Sequence, residues 1–426
     1  MTQIYTHPAP SLAEQFDPFD LLDPFPFYIK ARSEAPIFYS PELDYWVVTR
    51  YEDIKTIFKD LTTFSSEITG KPLIPFSPAV QQVLTEGGFT AQSGISGTMP
   101  PDHTRIRSFL NKGFTPRRVE KLEEPIRTRT NELIDLFAKD GKADIVRQLV
   151  YDLPALVIFI LLGIPDEDVP NVKLWAESRI AITWGDLTEE ERIIHAHRMV
   201  KYWQYCNDLI EKRFAEPQDD LPSDLVRIYQ EGDRSITKRE MALVCYSMLF
   251  AGHETTSNLL AEGIKTLLTN REQWEAICAD PSLIPNTVEE ILRYGPSIFA
   301  WRRLVKKSTI LSGVHLAEGA QLLLVLGSAN RDEQCFHAGE VFDIQRENAK
   351  HHLSFGHGVK YCLGAPLARL EGRIVLEELT RRFPSLHLEG GQKFEYMANT
   401  SFRGPRHVWV EWDGAYDEKW SVNSHQ

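Results

Sequence analysis

Through the middle of the chain, apolar residues recur at intervals of three and four: Leu133, Ile134 and Phe137, then Leu156, Val157 and Phe159, then Met241, Val244, Cys245, Met248 and Leu249. That spacing lays one apolar stripe along a helix, so the region from about Thr115 to Tyr294 reads as mostly helical. One helix is expected to run from about Thr237 to Asn270, and another from about Ala365 to Arg382. Strand patterns flank this region. Near the front, Ala35-Pro-Ile-Phe-Tyr-Ser and Tyr45-Trp-Val-Val-Thr-Arg enclose Pro41-Glu-Leu-Asp as a short hairpin, with a helix starting near Tyr51. Later strands are expected at Ile298 to Ala300, Gly313-Val-His-Leu, Gln321-Leu-Leu-Leu-Val-Leu and His407-Val-Trp-Val-Glu-Trp. The expected fold class is mainly α with small β-sheets at the two sequence ends, an α+β arrangement.

From Ser65 to Pro101 the chain carries Pro72, Pro75, Pro78, Gly87, Gly88, Gly94 and Gly97. A structureless stretch of that length reads as a lid or binding loop, or as a plain surface loop. No repeat, low-complexity tract or Gly/Ser linker divides the chain, so residues 1–412 read as one domain. The polar segment Asp413 to Gln426 reads as a tail or the start of a linker.

Composition narrows the class. Hydrophobic residues at 42% and charged ones at 25% describe an ordinary globular chain and exclude a disordered or collagenous one. The 47 Lys and Arg against 60 Asp and Glu give a net charge of −13, which repels phosphate backbones and anionic membranes, so nucleic acid is not an expected partner. Five cysteines, with no Cys-x-x-Cys pair, form neither a disulfide framework nor a zinc ribbon. The N-terminus lacks a signal-peptide pattern, and the longest apolar run, Ala155 to Ile164, is about half the ~20 residues a membrane span needs. A cytoplasmic setting without membrane attachment is expected.

The sharpest local pattern is Phe355-Gly-His-Gly-Val-Lys-Tyr-Cys362-Leu-Gly364, a glycine-rich loop around one cysteine just before a helix. The glycines let backbone approach something flat and large, and a thiolate at a helix N-terminus is stabilised by free N–H groups. Cys362 is therefore expected to be a deprotonated ligand. The spacing of Phe355, Gly358, Cys362 and Gly364 resembles the haem-binding signature of the cytochrome P450 superfamily. The resemblance implies that fold, with haem b (iron protoporphyrin IX) between the long central helix and the cysteine-loop helix, and Cys362 as the metal ligand.

Further motifs, in the expected order, extend the resemblance over nearly the whole chain. Glu290-Ile-Leu-Arg293 resembles the family's Glu-x-x-Arg helix, whose pair forms a buried ion network; alone it would be an ordinary surface i,i+3 pair. Ala251-Gly-His-Glu254-Thr255-Thr256 resembles the oxygen-binding groove of the central helix. There a threonine hydroxyl competes for the carbonyl of Ala251, Gly252 weakens the helix, and Glu254 with Thr255 relays protons. His103 and Arg107, at i,i+4, and Arg303 match bases that meet the haem propionates. Lys360, where the family often has His or Arg, is a point charge given the same duty.

The resemblance implies a monooxygenase. One atom of dioxygen enters an organic substrate and the other leaves as water, with two electrons and two protons consumed. Glu254-Thr255 in place of an Arg-Pro pair argues against a dedicated fatty-acid peroxygenase. Leu249, Ala251, Ile298, Phe299 and Phe402 are expected to line an apolar pocket for a small hydrophobic substrate, aromatic or alkyl, that is hydroxylated or oxidatively dealkylated. Thr400-Ser-Phe-Arg-Gly-Pro-Arg and Gly-Val-Lys-Tyr-Cys resemble haem domains fused to a phthalate-dioxygenase-type reductase. The electron donor is thus a fused reductase absent from this chain or a separate ferredoxin. Arg117, Arg118, Lys350, Lys360 and Arg369 are expected to form a basic docking face for it, or a plain solvated face. Two other readings stand beside this one: a peroxide-driven peroxygenase and a non-catalytic haem-based ligand sensor.

Overall fold

The computed structural model describes residues 10–90, 94–232 and 235–413. Its axis is a central helix, Lys238–Thr269, that starts at a reciprocal cap: Thr237 accepts from the Glu240 N–H while the Glu240 side chain accepts from the Thr237 N–H. The first half of this helix, Met241 to Leu249, builds one apolar core with the helices Leu153–Leu162, Val169–Trp184 and Glu189–Ala215. Its second half, Leu259 to Leu268, builds another with Ile284–Tyr294 and Ala365–Arg382. Two glycines allow the close approach. A Cβ on Gly252 would stand 2.8 Å from Ile158, and one on Gly263 would stand 2.7 Å from Ile291. Gly252 thus serves helix packing inside an unbroken helix, where the sequence suggested a weak point.

The strands are β1 (Ile37–Ser40), β2 (Tyr45–Val48), β3 (Phe64–Ser65), β4 (Lys142–Asp144), β5 (Ala300–Val305), β6 (Thr309–Leu311), β7 (Val314–Leu316), β8 (Gln321–Val325), β9 (His387–Leu388) and β10 (Trp409–Glu411). The main sheet has the order β1-β2-β8-β5-β3, with β2 and β8 parallel. The expected hairpin is present, but its strands join late ones in a single sheet rather than forming a sheet of their own. Arg302 and Arg303 pair with Leu323 and Leu322 on β8 and so leave opposite faces of the sheet. β6 and β7 form a separate hairpin.

Three expectations need correction. The stretch from Ser65 to Pro101 is not structureless: it contains the helix Pro78–Glu86, which Ser77 caps by accepting from the Val80 N–H, and a short helical turn, Gly94–Gly97. The strand placed at Ile298 to Ala300 begins only at Ala300, and Ile298 makes a single bridge to Phe402. The helical middle also contains β4, which is held by pairing with β10. The tail beyond Asp413 and the first nine residues lie outside the described residues. Among the described residues, no helix is long and apolar enough to cross a membrane.

Candidate active site

Cys362 sits in a loop closed by its own N–H donating to the Phe355 carbonyl at 2.9 Å. Gly356 and Gly358 hold φ of +71° and +75°, and a Cβ on Gly358 would press within 3.2 Å of the Phe58 carbonyl. Gly364 then starts the helix Ala365–Arg382. Cys362 is exposed, unlike the buried Cys206 and Cys245. The packed loop around its sulfur pushes the thiol above its ordinary range, against the pull of the Gly364 and Ala365 N–H groups and of Arg107 and Arg369.

Four basic groups gather beside this loop. His103 is 4% exposed, its Nδ1 has no partner, and burial, aided by Lys360 and Arg107, holds it at about 4. Arg107 donates to the Tyr361 carbonyl at 2.8 Å. Arg303 is 2% exposed, covers the Phe58 ring, leaves its Nε unpartnered and is lowered by burial to about 9. Lys360 donates to the carbonyls of Ser96 and Thr98 and is lowered to about 7, by burial and then by Arg303 and Arg107. Among the described residues no carboxylate pairs with any of the four. Clustered cations without a counter-charge are unfavourable in a closed site, and two carboxylates of a bound group would relieve them. These residues fit a haem: the bases would pair its carboxylates and Cys362 would ligate its iron.

On the central helix, Thr255 Oγ1 donates to the Ala251 carbonyl at 2.7 Å, and Ala251 is exposed. Glu254 has one buried oxygen without a partner, and its carboxyl is raised to about 8 by burial and by nearby Glu177, against the pull of Lys173. His253, lowered by burial to about 3, is neutral and meets the Tyr151 carbonyl at 3.1 Å. Lys173 is ion-paired with Asp152 and covers the Tyr151 ring at 3.5 Å. Tyr151, Asp152 and Lys173 line a solvent-open hollow of ≈ 600 Å³. Sequence reasoning missed Asp152, Lys173 and Glu177; the one trace is two charges, Lys173 and Glu177, at i,i+4 on an otherwise mixed helix.

Glu290 and Arg293 are both 0% exposed, joined by two hydrogen bonds of 2.7 Å. Arg293 also donates to the carbonyls of Asn330 and Gly339, and Arg346 reaches Glu290 at 3.3 Å. Asn330 in turn accepts from Leu353 N–H and donates to Ser354, just before the cysteine loop. The pair is thus a buried brace. Of the residues expected in the pocket, Leu249 is sealed in the apolar core, and Phe299 packs against Phe25 and Tyr28. Neither faces the groove at Ala251. Phe402 joins an aromatic cluster with Trp184, Phe250 and Trp301, with half-buried Ile298 beside it. The expected docking face is largely neutralised: Arg118 pairs with Asp224, Arg369 pairs with Glu289, and Lys360 turns to loop carbonyls. Arg117 and Lys350 stay exposed.

A cysteine loop, a basic cradle and a threonine hydroxyl bonded to the Ala251 carbonyl together suit a metal-bearing cofactor. Residues 42–402 match the cytochrome P450 family, and the chain belongs to it. The cytochrome P450 monooxygenase PikC of Streptomyces venezuelae is 34% identical over 92% of this chain and 91% of its own. The solved cytochrome P450 CREJ, in complex with (4-ethylphenyl) dihydrogen phosphate, is 47% identical with a TM-score of 0.92, covering 94% of this chain and 100% of its own. An intact type IV self-sufficient cytochrome P450 monooxygenase is 40% identical with a TM-score of 0.91, over 95% of this chain and 54% of its own. The protein is an oxidoreductase of the haem-iron P450 type that works with dioxygen and an electron donor.

Proposed function

We propose that this protein is a cytoplasmic haem-thiolate monooxygenase that hydroxylates or oxidatively dealkylates a small hydrophobic substrate, aromatic or alkyl. The observation that carries the reading is the unpaired basic set, His103, Arg107, Arg303 and Lys360, gathered at the loop that presents Cys362. These four would hold the propionates of haem b, and Cys362 would ligate its iron. Bound there, the haem supplies an iron able to activate dioxygen for insertion of one oxygen atom into a C–H bond.

The chain's own residues supply the protons. Glu254, raised to about 8, keeps its proton at neutral pH. Lys173, whose charge acts on Glu254, pairs with Asp152 at the lining of the solvent-open hollow, and this pair would reload Glu254. Thr255 receives the proton and passes it into the groove beside Ala251. The aromatic cluster of Trp184, Phe250, Trp301 and Phe402 excludes water and supports a flat substrate. The alkyl-substituted ring held by the solved relative supports an alkylarene as the substrate body. Electrons come from a fused reductase outside this chain or from a separate ferredoxin, the first supported by the self-sufficient relative. A ligand sensor has no use for such a relay.

The test is a carbon monoxide difference spectrum of the dithionite-reduced holoenzyme. The wild type should give the far red-shifted band of a thiolate ligand, and Cys362→Ala should lose both the band and product formation. An imidazole-like band in the wild type, or hydroxylation retained by Cys362→Ala, would overturn the reading.

A further inference from the structure

Arg179 is a charge without a counter-charge. It lies on the helix Val169–Trp184 and is 3% exposed, with its guanidinium 4.5 Å from the Tyr246 ring centre and 4.4 Å from that of Phe250. Ring faces attract a cation but cannot satisfy all five of its N–H groups. Its Nη1 is buried without a partner, and among the described residues no carboxylate pairs with it. The titratable groups around it, Tyr202, Cys206 and Tyr246, are all kept neutral by burial. Arg302, the other buried guanidinium at the aromatic cluster, at least donates Nη2 to the carbonyls of Thr69 and Lys71, at 3.1 and 2.6 Å. An unpaired buried charge is costly unless something else pairs it.

The surroundings say where that partner would lie. At Gly94 the chain omits a side chain: a Cβ there would stand 2.6 Å from Arg179 Nη2 and 3.2 Å from Ser247 Oγ. Ser247 is half-buried and accepts from the Ile95 N–H at 3.2 Å, which leaves its own O–H to donate. Ser247, Ala251 and Thr255 follow at i, i+4 and i+8 on one face of the central helix, about 12 Å from end to end. That span matches the length of a single substituted ring with its head group.

We propose that Arg179, with Ser247, anchors an anionic head group on the substrate, so that the enzyme takes an alkyl-substituted aromatic ring bearing a phosphate, sulfate or carboxylate. The head sits at Arg179 and the alkyl carbon lies toward Thr255. This rests on the monooxygenase reading and narrows its substrate class.

The holoenzyme is titrated calorimetrically with a 4-alkylphenyl phosphate, the matched sulfate ester, the matched carboxylate, the neutral 4-alkylphenol and inorganic phosphate. At least one aryl anion should bind roughly tenfold or more tightly than the phenol, as a charge-assisted pair predicts. Which of the three binds best identifies the head group. Arg179→Gln should abolish that preference, so that no aryl anion binds more tightly than the phenol, and Arg179→Lys should retain part of it. Equal affinity for phenol and all three anions in the wild type, a comparison that needs no variant, overturns the proposal. So does a preference that survives Arg179→Gln, or inorganic phosphate binding as tightly as the aryl phosphate, which marks a free-anion site. A normal carbon monoxide band with no anion preference removes only the anchor; an absent thiolate band removes the monooxygenase reading itself.

Discussion

Glu254 and His253 are neighbours that burial drives to the same uncharged condition from opposite sides. For Glu254, the folded carboxyl at about 8 stands above its ordinary 4.5, so the folded state holds a proton that the unfolded chain releases. Stability is therefore lost as pH rises from about 4.5 through about 8. For His253, at about 3 against 6.5, the unfolded chain takes up a proton that the folded state refuses, and stability is lost as pH falls below 6.5. Glu254→Gln should remove the first loss: in thermal melts it should match the wild type near pH 4 and melt above it at pH 8. The same variant should lose about 100-fold or more in turnover, together with the alkaline fall in rate near pH 8, measured in steady state across that range. A variant that melts higher yet turns over normally would separate Glu254 from the proton supply.

At the level of elements, the central helix works because its two glycines let neighbours come close. Gly263→Val should push the helix Ile284–Tyr294 outward through Ile291 and cost about 1–3 kcal/mol in denaturant unfolding. Adding Ile291→Ala should recover part of that loss, a coupling that a double-mutant cycle measures. The caps that start these helices were written in the sequence: Thr237 with Glu240, and Gly364 followed by Ala365 and Pro366. Ser77 before Pro78 is an equally clear start signal, but the density of proline and glycine around it read as loop. β4 had no signal at all. Three residues carry no periodicity, and they are a strand because β10, more than 260 positions later, lies alongside. The site divides in the same way. Cys362 stands out in its glycine-rich loop, and Thr255 and the His103–Arg107 pair were singled out by the family resemblance, whereas Arg179, Lys173 and Glu177 matter only because the helix carrying them packs on the central helix, which spacing along the chain does not encode.

For the whole molecule, charge is distributed by function: a net −13 overall, with bases collected inside at the cysteine loop. Because Arg118 and Arg369 are already paired, only Arg117 and Lys350 of the expected docking bases remain exposed to steer an acidic donor. Reduction by a separate ferredoxin should accordingly vary only weakly between low and physiological salt in stopped-flow measurements. A steep fall with salt would restore the basic docking face. The main sheet carries a different consequence. Its parallel pair joins Trp46–Val48 to Leu322–Leu324, and β8 in turn holds the strand that bears Arg303. During synthesis the early hairpin must wait for some 270 further residues before its neighbour exists, a long-range closure of the kind that slows folding. Arg303 and Cys362 both follow the early hairpin by a long stretch of chain, so cofactor capture has to wait until the later strands and the cysteine loop are in place.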